Sequence, residues 1–341
     1  MTNRQILIIG PSWVGDMILA QSLFKLLKQQ DEHCAIDVAA PAWTLPLLER
    51  MPEVRQAIAL PFRHGKLDLW QRIRLGRALR AQGYAQAIVL PNSFKSAILP
   101  FVAGIPRRTG FRGEMRYGLL NDLRLLDTAR LPMTVQRFVA LGLPPGAPLP
   151  DPLPRPSLIA SPGGALQALH CLGREQPDRP VLGLCPGAEY GPAKRWPEEH
   201  YAAVARWALE QGHEVWLFGS AKDAPVTRAI DHLSGNRCLD LGGKTRLGEA
   251  IDLMSLCAAV VSNDSGLMHV AAALDRPLVA LYGSSDPNHT PPMSERASII
   301  HLGLPCSPCF ARECPLDHLK CLRDIEPERV IELLQSILPR R

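Results

Sequence analysis

A short polar turn between an apolar run and a helical pattern is the sequence feature best suited to binding an anion. The apolar run ends near Ser262, and residues 263–269 then read Asn-Asp-Ser-Gly-Leu-Met-His. Backbone N–H groups at Ser265 and Gly266, with the positive end of a helix dipole, would hold a phosphate. Asp264 and His269 would orient a polar part of the same ligand. An ordinary helix cap uses the same residue types, so the turn alone leaves both interpretations open.

A second polar loop, residues 10–16, follows the first apolar run and precedes a helical pattern. Gly10 and Gly15 have the Gly-x4-Gly spacing of a P-loop, but Asp16 and Met17 replace the Lys and Ser/Thr that such a loop needs. A carboxylate at a helix start is held ionised, which is the form that a general base requires. Helix capping by Asp16 explains the residue equally well.

Three more loops that follow predicted strands carry groups able to bind a nucleotide. Lys194 stands just ahead of a predicted helix, where its charge would stabilise a departing diphosphate. Asp223 is placed to accept ribose hydroxyls, and Thr245 to line a base pocket. Capping or surface exposure accounts for each residue alone. Because loops after parallel strands gather at one sheet edge, the set together favours a ligand site.

Basic residues are concentrated in one part of the chain. Between Arg63 and Arg130 there are thirteen Lys/Arg and four acidic residues, although the net charge of the whole protein is only +5. A solvated helix face explains part of the series Arg72, Arg74, Arg77 and Arg80. The rest indicates an anionic partner. Nucleic acid is poorly supported, because few aromatic residues are interleaved with the basic ones.

The nine cysteines do not form a disulfide pattern, and five of them lie in apolar surroundings typical of reduced core thiols. The other four are Cys306, Cys309, Cys314 and Cys321, with His318 among them. Their first pair has a C-x2-C spacing compatible with zinc or iron–sulfur ligation. The spacings from Cys309 to Cys314 and from Cys314 to Cys321 do not form the second C-x2-C pair of a typical zinc site. A loop without metal is therefore favoured over a structural metal.

The elements that must position these residues are parallel strands alternating with amphipathic helices. The fold class is therefore α/β, with two Rossmann-like domains facing a cleft, and a Pro/Gly-rich stretch at 143–162 marks their connection. A last helix starts at Pro327. No signal peptide or membrane-spanning run is evident, which predicts a soluble cytosolic protein. Strands are predicted at 6–9, 35–39, 57–60, 87–90, 108–110, 181–185, 214–218, 238–241, 259–262, 278–282 and 299–302.

Six of these loop segments together resemble the ADP-heptose:lipopolysaccharide heptosyltransferase II group of the glycosyltransferase B heptosyltransferase family. The similarity runs from near residue 4 to about residue 290, and its blocks are too long to belong to the fold in general. They are GPSWVGDM (10–17), LPNSFKS (90–96), RGEMRYGLLND (112–122), PGAEYGPAKRWP (186–197), FGSAKD (218–223) and NDSGLMHVAAAL (263–274).

The resemblance implies the domains and the reaction. Residues 1–155 would bind the acceptor, residues 156–325 would bind ADP-heptose, and residues 326–341 would form a C-terminal helix packing back on the N-terminal domain. The reaction would be an inverting transfer from ADP-L-glycero-β-D-manno-heptose to the first heptose of the lipopolysaccharide inner core. Cleft closure would bring the catalytic groups of the two domains together.

The resemblance also implies residue roles by matching position. Asp16 would be the catalytic base and Lys194 the diphosphate partner that assists catalysis. A phosphorylated acceptor would meet the basic half of the chain at Lys95, Arg112 and Arg116. The expected donor-binding residues are Tyr190, Lys194, Asp223, Thr245, Asp264, Ser265, Gly266 and His269.

The expected partners are ADP-heptose and the phosphorylated core lipid, without nucleic acid. The protein would be cytoplasmic, with peripheral contact at the inner leaflet of the inner membrane. No cofactor is expected to be required, whereas stimulation by divalent cations is left open. The alternatives are a heptosyltransferase of type I or III, or a sugar-nucleotide epimerase of the same fold. A non-catalytic metal- or nucleic-acid-binding protein is a further rival from another class.

Overall fold

Apolar runs rich in Val, Ile and Leu form the central strands of two parallel sheets, and these strands are buried on both faces as such runs predict. The computed structural model describes residues 4–62 and 65–338. The chain divides into two units, Met1–Pro156 and Ser157–Arg341, here called the N-terminal and C-terminal units. Arg63 of the basic stretch and the last three residues of the C-terminal segment lie outside the described residues.

The N-terminal unit contains a six-stranded parallel sheet with the order β3-β2-β1-β4-β5-β6. Its helices are α1 (Val14–Gln30), α2 (Leu45–Leu48), α3 (Leu69–Leu79), α4 (Ile98–Val102) and α5 (Thr134–Leu141). Its strands are β1 (Gln5–Ile9), β2 (Ala35–Pro41), β3 (Val54–Leu60), β4 (Gln86–Val89), β5 (Arg107–Phe111) and β6 (Asp122–Arg124).

The C-terminal unit contains a second six-stranded parallel sheet with the order β12-β11-β10-β7-β8-β9. Its strands are β7 (Val181–Cys185), β8 (Glu214–Leu217), β9 (Leu239–Asp240), β10 (Cys257–Asn263), β11 (Leu278–Tyr282) and β12 (Ala297–His301). Its helices are α6 (Pro162–Cys171), α7 (Glu198–Glu210), α8 (Ala224–Leu233), α9 (Leu247–Met254), α10 (Gly266–Ala273), α11 (Lys320–Arg323) and α12 (Pro327–Ile337).

The two sheets have the same topology, because in each the first strand of the unit pairs with both the second and the fourth. The strand order reverses between β1 and β4 in one unit and between β7 and β10 in the other. Loops that follow the strands at such a switch point diverge and leave room for a ligand. The loops that begin at Gly10, Leu90, Pro186 and Asp264 are those loops.

The predicted fold class is confirmed for both units, and all eleven predicted strands are present. The sequence interpretation missed β6, which has only three residues and two charged side chains. Its burial is partial, since it is an edge strand paired only with β5. Such a strand lacks the apolar run by which the others were predicted.

The last helix, α12, belongs to the C-terminal unit. Val330 and Leu334 on its apolar stripe are fully buried in the core of that unit, against α7 and β11. Ile325 lies just before this helix, and its carbonyl oxygen accepts a hydrogen bond from the indole N–H of Trp196 at 2.8 Å. Packing of this helix back on the N-terminal domain stays a prediction. None of the helices in the described ranges combines the length and apolarity that crossing a membrane would need.

Candidate active site

One buried side chain, that of Asn263, ties the loop after β7 to the end of β10. Its amide nitrogen donates to the carbonyl oxygen of Pro186 at 2.6 Å. Its amide oxygen accepts from the backbone N–H of Trp196 at 3.1 Å and from the hydroxyl of Tyr201 at 3.0 Å. Asn263 is fully buried. The sequence interpretation did not assign it a role, although it immediately precedes Asp264.

This connection brings Lys194 and Asp264 together, although they are far apart in the chain. The Nζ of Lys194 lies 2.6 Å from Oδ2 of Asp264. The carboxylate is buried, whereas the lysine side chain remains partly exposed. The two residues predicted from separate loops therefore form one charged pair at the carboxyl edge of the sheet.

His269 lies beside this pair, on the first turns of α10. Burial lowers its pKa to about 4, with Lys194 acting in the same direction and Asp264 in the opposite one. The imidazole is therefore neutral at pH 7. Its Nδ1 is buried and has no hydrogen-bond partner among the described residues. A neutral, unpartnered ring nitrogen is able to bind a ligand hydroxyl.

The N-terminus of α10 has the geometry predicted for an anion cradle. Ser265 is the N-cap residue in an extended conformation, and Gly266 is the first helical residue. Within the described part of the chain, the Ser265 hydroxyl does not cap the helix and instead lies 3.3 Å from the hydroxyl of Ser262. The first backbone N–H groups of the helix thus keep their capacity to bind an anion.

Asp223 is held at the start of α8 by Ser220, which donates to its carboxylate from the backbone N–H at 3.0 Å and from the hydroxyl at 2.7 Å. Gly187 packs against this carboxylate so closely that an added Cβ would come within 3.0 Å of it. Arg195 lies 3.8 Å away. The loop after β7 and the loop after β8 therefore meet at Asp223.

Thr245 lies half-buried in the loop between β9 and α9. This loop contacts the one that carries Asp223, because Gly243 donates its backbone N–H to the carbonyl oxygen of Gly219 at 3.0 Å. The close approach needs glycine at 243, where φ is +72° and an added Cβ would lie 3.0 Å from Cα of Ala221. The two candidate nucleoside ligands thus stand on adjoining loops.

Asp16 is in the first turn of α1, directly after the loop that leaves β1. Its side chain is partly exposed. Two exposed tryptophans flank the loop: Trp13 is the N-cap residue, and Trp43 donates its indole N–H to the carbonyl oxygen of Ser12 at 3.1 Å. The helix dipole favours the ionised form of a carboxylate at this position. The role of Asp16, in the N-terminal unit, as the catalytic base stays a prediction.

The three predicted acceptor ligands do not share one environment. Lys95 is half-buried and Arg112 is exposed, whereas Arg116 is fully buried. The guanidinium of Arg116 donates to the carbonyl oxygens of Pro91, at 2.6 Å, and Phe111. Burial lowers its pKa to about 10. A direct acceptor contact by Arg116 is not supported by this placement, and we reassign it to positioning the loop after β4.

A solvated face explains part of the arginine series that begins on α3, as predicted, but not Arg72. Arg72 is buried, stacks its guanidinium 4.0 Å over the ring of Phe62 and donates to the carbonyl oxygens of Leu67 and Lys95. Burial lowers its pKa. The other three arginines of the series are exposed. Part of the basic excess thus serves the fold of the N-terminal unit.

The coil at residues 302–319, which contains three of the four clustered cysteines, packs on the loops of the candidate site. The backbone N–H of Phe310 donates to the carbonyl oxygen of Ser284 at 2.7 Å, and the hydroxyl of Tyr190 donates to the carbonyl oxygen of Phe310 at 2.7 Å. The carbonyl oxygen of Arg312 accepts from the backbone N–H of Ala193 at 3.0 Å. Tyr190 therefore joins this coil to the loop that carries Lys194.

The four cysteines near this coil are free thiols. Burial raises the pKa of Cys321, and the neighbouring charges of Cys309, Cys314 and Cys306 raise it further. Within residues 4–62 and 65–338, no group of three or more His, Cys, Asp or Glu side chains is arranged to hold a metal ion.

Two serines that the sequence interpretation missed add polar groups at the same edge. Ser284 and Ser285 follow β11 after Gly283, and both hydroxyl oxygens are buried without a hydrogen-bond partner among the described residues. Unpaired buried hydroxyls are costly, so a polar ligand or an ordered water would satisfy them. Their position after a predicted strand is the signal that could have identified them.

Comparisons with known proteins show which family and which solved structures this chain is similar to. The sequence pattern of glycosyltransferase family 9 (heptosyltransferase) matches residues 72–320. The chain is 50% identical to lipopolysaccharide heptosyltransferase 2 of Salmonella typhimurium, and 49% identical to lipooligosaccharide heptosyltransferase 2 of Haemophilus influenzae. These alignments cover 98% of this chain and 98% and 99% of the two relatives. The solved structure of Escherichia coli ADP-heptose lipopolysaccharide heptosyltransferase II superposes with a TM-score of 0.87, at 46% identity over 98% of both chains.

Proposed function

The chain belongs to glycosyltransferase family 9, the heptosyltransferases, and on that premise we propose that it transfers heptose from ADP-heptose to a heptose of the lipopolysaccharide inner core. The donor would be ADP-L-glycero-β-D-manno-heptose and the acceptor the first heptose of the core. The names of the relatives favour this activity over the type I and type III transferases and over an epimerase.

The pair formed by Lys194 and Asp264 at the N-terminus of α10 is the observation that carries the donor assignment. The ammonium group and the first N–H groups of α10 offer charge and hydrogen bonds to a diphosphate. Asp264 and the neutral imidazole of His269 offer an acceptor and a ring nitrogen to the hydroxyls of the heptose. Asp223 and Thr245 would bind the ribose and the adenine.

The proposed reaction is a single displacement. The carboxylate of Asp16 takes the proton of the acceptor hydroxyl while its oxygen forms a bond to the anomeric carbon of the donor. The bond from that carbon to the diphosphate oxygen breaks on the opposite face, so the configuration inverts and ADP leaves with the electron pair. Lys194 and the backbone N–H groups at Gly266 stabilise the charge that develops on ADP.

The acceptor would contact Lys95 and Arg112. Both basic side chains belong to the loops that gather beside β4 and β5, and the turn at residues 112–116 is fixed there by Glu114, which accepts from the backbone N–H of Phe94 at 2.8 Å. Arginine and lysine suit the phosphate groups of a core lipid. Arg112→Gln should raise the KM for a phosphorylated acceptor while the KM for ADP-heptose stays unchanged.

We also place the protein in the cytoplasm, in peripheral contact with the inner leaflet of the inner membrane. In support, Leu67, Leu69 and Trp70 are exposed beside the basic residues Lys66 and Arg74. Apolar side chains with nearby positive charge bind anionic lipid surfaces. Trp70→Ser should weaken co-sedimentation with anionic vesicles.

The matched control for this membrane contact is Ile159→Ser, at another exposed apolar position. Equal binding by the wild-type protein, the Trp70 variant and the control would contradict the proposed surface.

The proposed chemistry does not require a metal ion, because Lys194 and the amides of α10 contribute charge stabilisation to the leaving group. Turnover should therefore persist when EDTA is present, and divalent cations should at most stimulate it. Complete loss of turnover in EDTA, restored by one added metal, would contradict this part of the proposal.

Product analysis by mass spectrometry tests the activity itself. The protein is incubated with ADP-heptose and either mono-heptosylated or unheptosylated core lipid. Extension of the mono-heptosylated lipid alone supports the proposed acceptor, and extension of the unheptosylated lipid points to a type I transferase. Conversion of ADP-heptose without any acceptor would instead indicate an epimerase or a hydrolase.

A further inference from the structure

Four cations on the loops of the candidate donor site are already paired with carboxylates. Lys194 lies 2.6 Å from Asp264, and Arg195 lies 3.8 Å from Asp223. The remaining two pairs are Lys222 with Glu189, and Lys244 with Asp240 at 3.6 Å. ADP brings a diphosphate with more than one negative charge, and cations that already have carboxylate partners neutralise it incompletely.

Arg312 is a cation at the same edge that forms no ion pair with any carboxylate in the ranges 4–62 and 65–338. Its guanidinium carbon lies 5.2 Å from the centre of the Tyr190 ring, and Nζ of Lys194 lies 5.1 Å from the same ring centre. The aromatic ring attracts both cations and thereby offsets part of their mutual repulsion. Arg312 is exposed and accessible to a ligand.

The position of Arg312 is set by its backbone and not by its side chain. Its carbonyl oxygen accepts from Ala193, one residue before Lys194. Gly191 packs against that carbonyl so closely that an added Cβ would come within 3.0 Å of it. Since the backbone makes these contacts, replacing the side chain should leave the coil docked on the loop.

We propose that Arg312 is a second cationic ligand of the donor diphosphate, acting together with Lys194 at the ring of Tyr190. The cysteine-containing coil is then part of the donor site, because it presents this guanidinium. The planar guanidinium forms paired hydrogen bonds to phosphate oxygens, which an ammonium group does not. This inference rests on the proposed function for the identity of the donor, but nucleotide binding tests it without an acceptor.

The test compares the affinities of the full-length protein for ADP and for adenosine. Calorimetric titration measures each affinity, and the ligand that binds more weakly is measured by its competition with the other. Arg312→Gln should weaken ADP binding roughly 10- to 100-fold and leave adenosine binding unchanged, because adenosine has no phosphate. Arg312→Lys should recover part of the loss, since it keeps the charge but not the fork of donors. Arg329→Gln removes an exposed arginine of α12 and is the matched control.

Unchanged ADP affinity in Arg312→Gln overturns the proposal. An equal loss for ADP and adenosine overturns it too, because that pattern reports a disturbed loop instead of a lost phosphate contact. The thermal midpoint of Arg312→Gln should equal that of the control variant. If the wild-type protein binds ADP but transfers no heptose, the proposed function fails, whereas the ADP titrations still decide the role of Arg312.

Discussion

Replacing Asn263 by alanine should show how much the hydrogen bonds that hold the loop after β7 contribute to stability and to donor binding. The substitution deletes three hydrogen bonds, to Pro186, Trp196 and Tyr201. The carbonyl oxygen of Pro186 and the backbone N–H of Trp196 are left as buried polar groups, each of which costs about 1–3 kcal/mol before relaxation, whereas the Tyr201 hydroxyl can still donate to the carbonyl oxygen of Cys185 at 3.3 Å. Rearrangement and water entry recover part of this, so we expect the free energy of unfolding to fall by roughly 2–4 kcal/mol.

The functional effect should appear in donor binding. Lys194 lies two residues before Trp196, whose backbone N–H loses its acceptor, so the ammonium group is no longer held 2.6 Å from Asp264. The KM for ADP-heptose should rise roughly 10-fold, a change that corresponds to about 1.4 kcal/mol of binding free energy. The KM for the acceptor should be unchanged, because its proposed ligands belong to the N-terminal unit.

Urea denaturation and steady-state kinetics measure the two effects. Asn288→Ala, at an exposed position, is the control and should change the free energy of unfolding by about 0.5 kcal/mol or less. If Asn263→Ala unfolds at the wild-type urea concentration and keeps the wild-type KM for ADP-heptose, the assigned role of Asn263 is wrong.

Three further changes follow from the structure. Gly191→Ala should lower the free energy of unfolding by about 1–3 kcal/mol and raise the KM for ADP-heptose, because its Cβ would collide with the carbonyl oxygen of Arg312. Burial lowers the pKa of His269 to about 4, from its ordinary value of 6.5. Its contribution to stability is therefore present above pH 6.5 and should be lost as the pH falls from 6.5 to 4. The free energy of unfolding should fall by up to about 3 kcal/mol over this range. Urea titrations of wild type and His269→Gln at several pH values measure the effect. Arg116→Met should lower the thermal midpoint by orphaning buried carbonyl groups, as scanning calorimetry would measure.

Each of these expectations has its own contradicting result. Gly163→Ala, where an added Cβ meets no atom within 4 Å, is the control for Gly191→Ala, and equal behaviour of the two would refute the collision. If the free energy of unfolding depends on pH in the same way in wild type and His269→Gln, His269 does not cause the loss of stability in acid. A normal thermal midpoint in Arg116→Met, together with a raised acceptor KM, would restore Arg116 as a ligand.

The sequence carried enough information for most of the fold. Short apolar runs predict strands, and all eleven predicted strands are present, although only the central ones are buried on both faces. The edge strand β6 was missed because it is stabilised by ion pairs of Asp122 with Arg124 and with Arg107. No local sequence pattern reveals these pairs. Charge clustering likewise cannot distinguish a surface arginine from a buried one, as Arg72 and Arg116 show.

The site was predictable where a polar residue directly follows a strand, as at Asp264. It was not predictable where function depends on contacts between distant segments. Neither composition nor periodicity indicates that the coil after β12 packs on the loop after β7, since backbone carbonyls make most of those contacts. For the same reason Arg312 and Asn263 emerged only from the structure.

The central claim, that Asp16 is the base of a heptosyl transfer, is tested most directly by kinetics of Asp16→Asn with ADP-heptose and mono-heptosylated core lipid. The substitution is nearly isosteric and removes the ability to accept a proton. Turnover should fall by about 10²- to 10⁴-fold, while the affinity for ADP-heptose, measured by titration, stays within about twofold of wild type. Turnover near the wild-type rate would contradict the account.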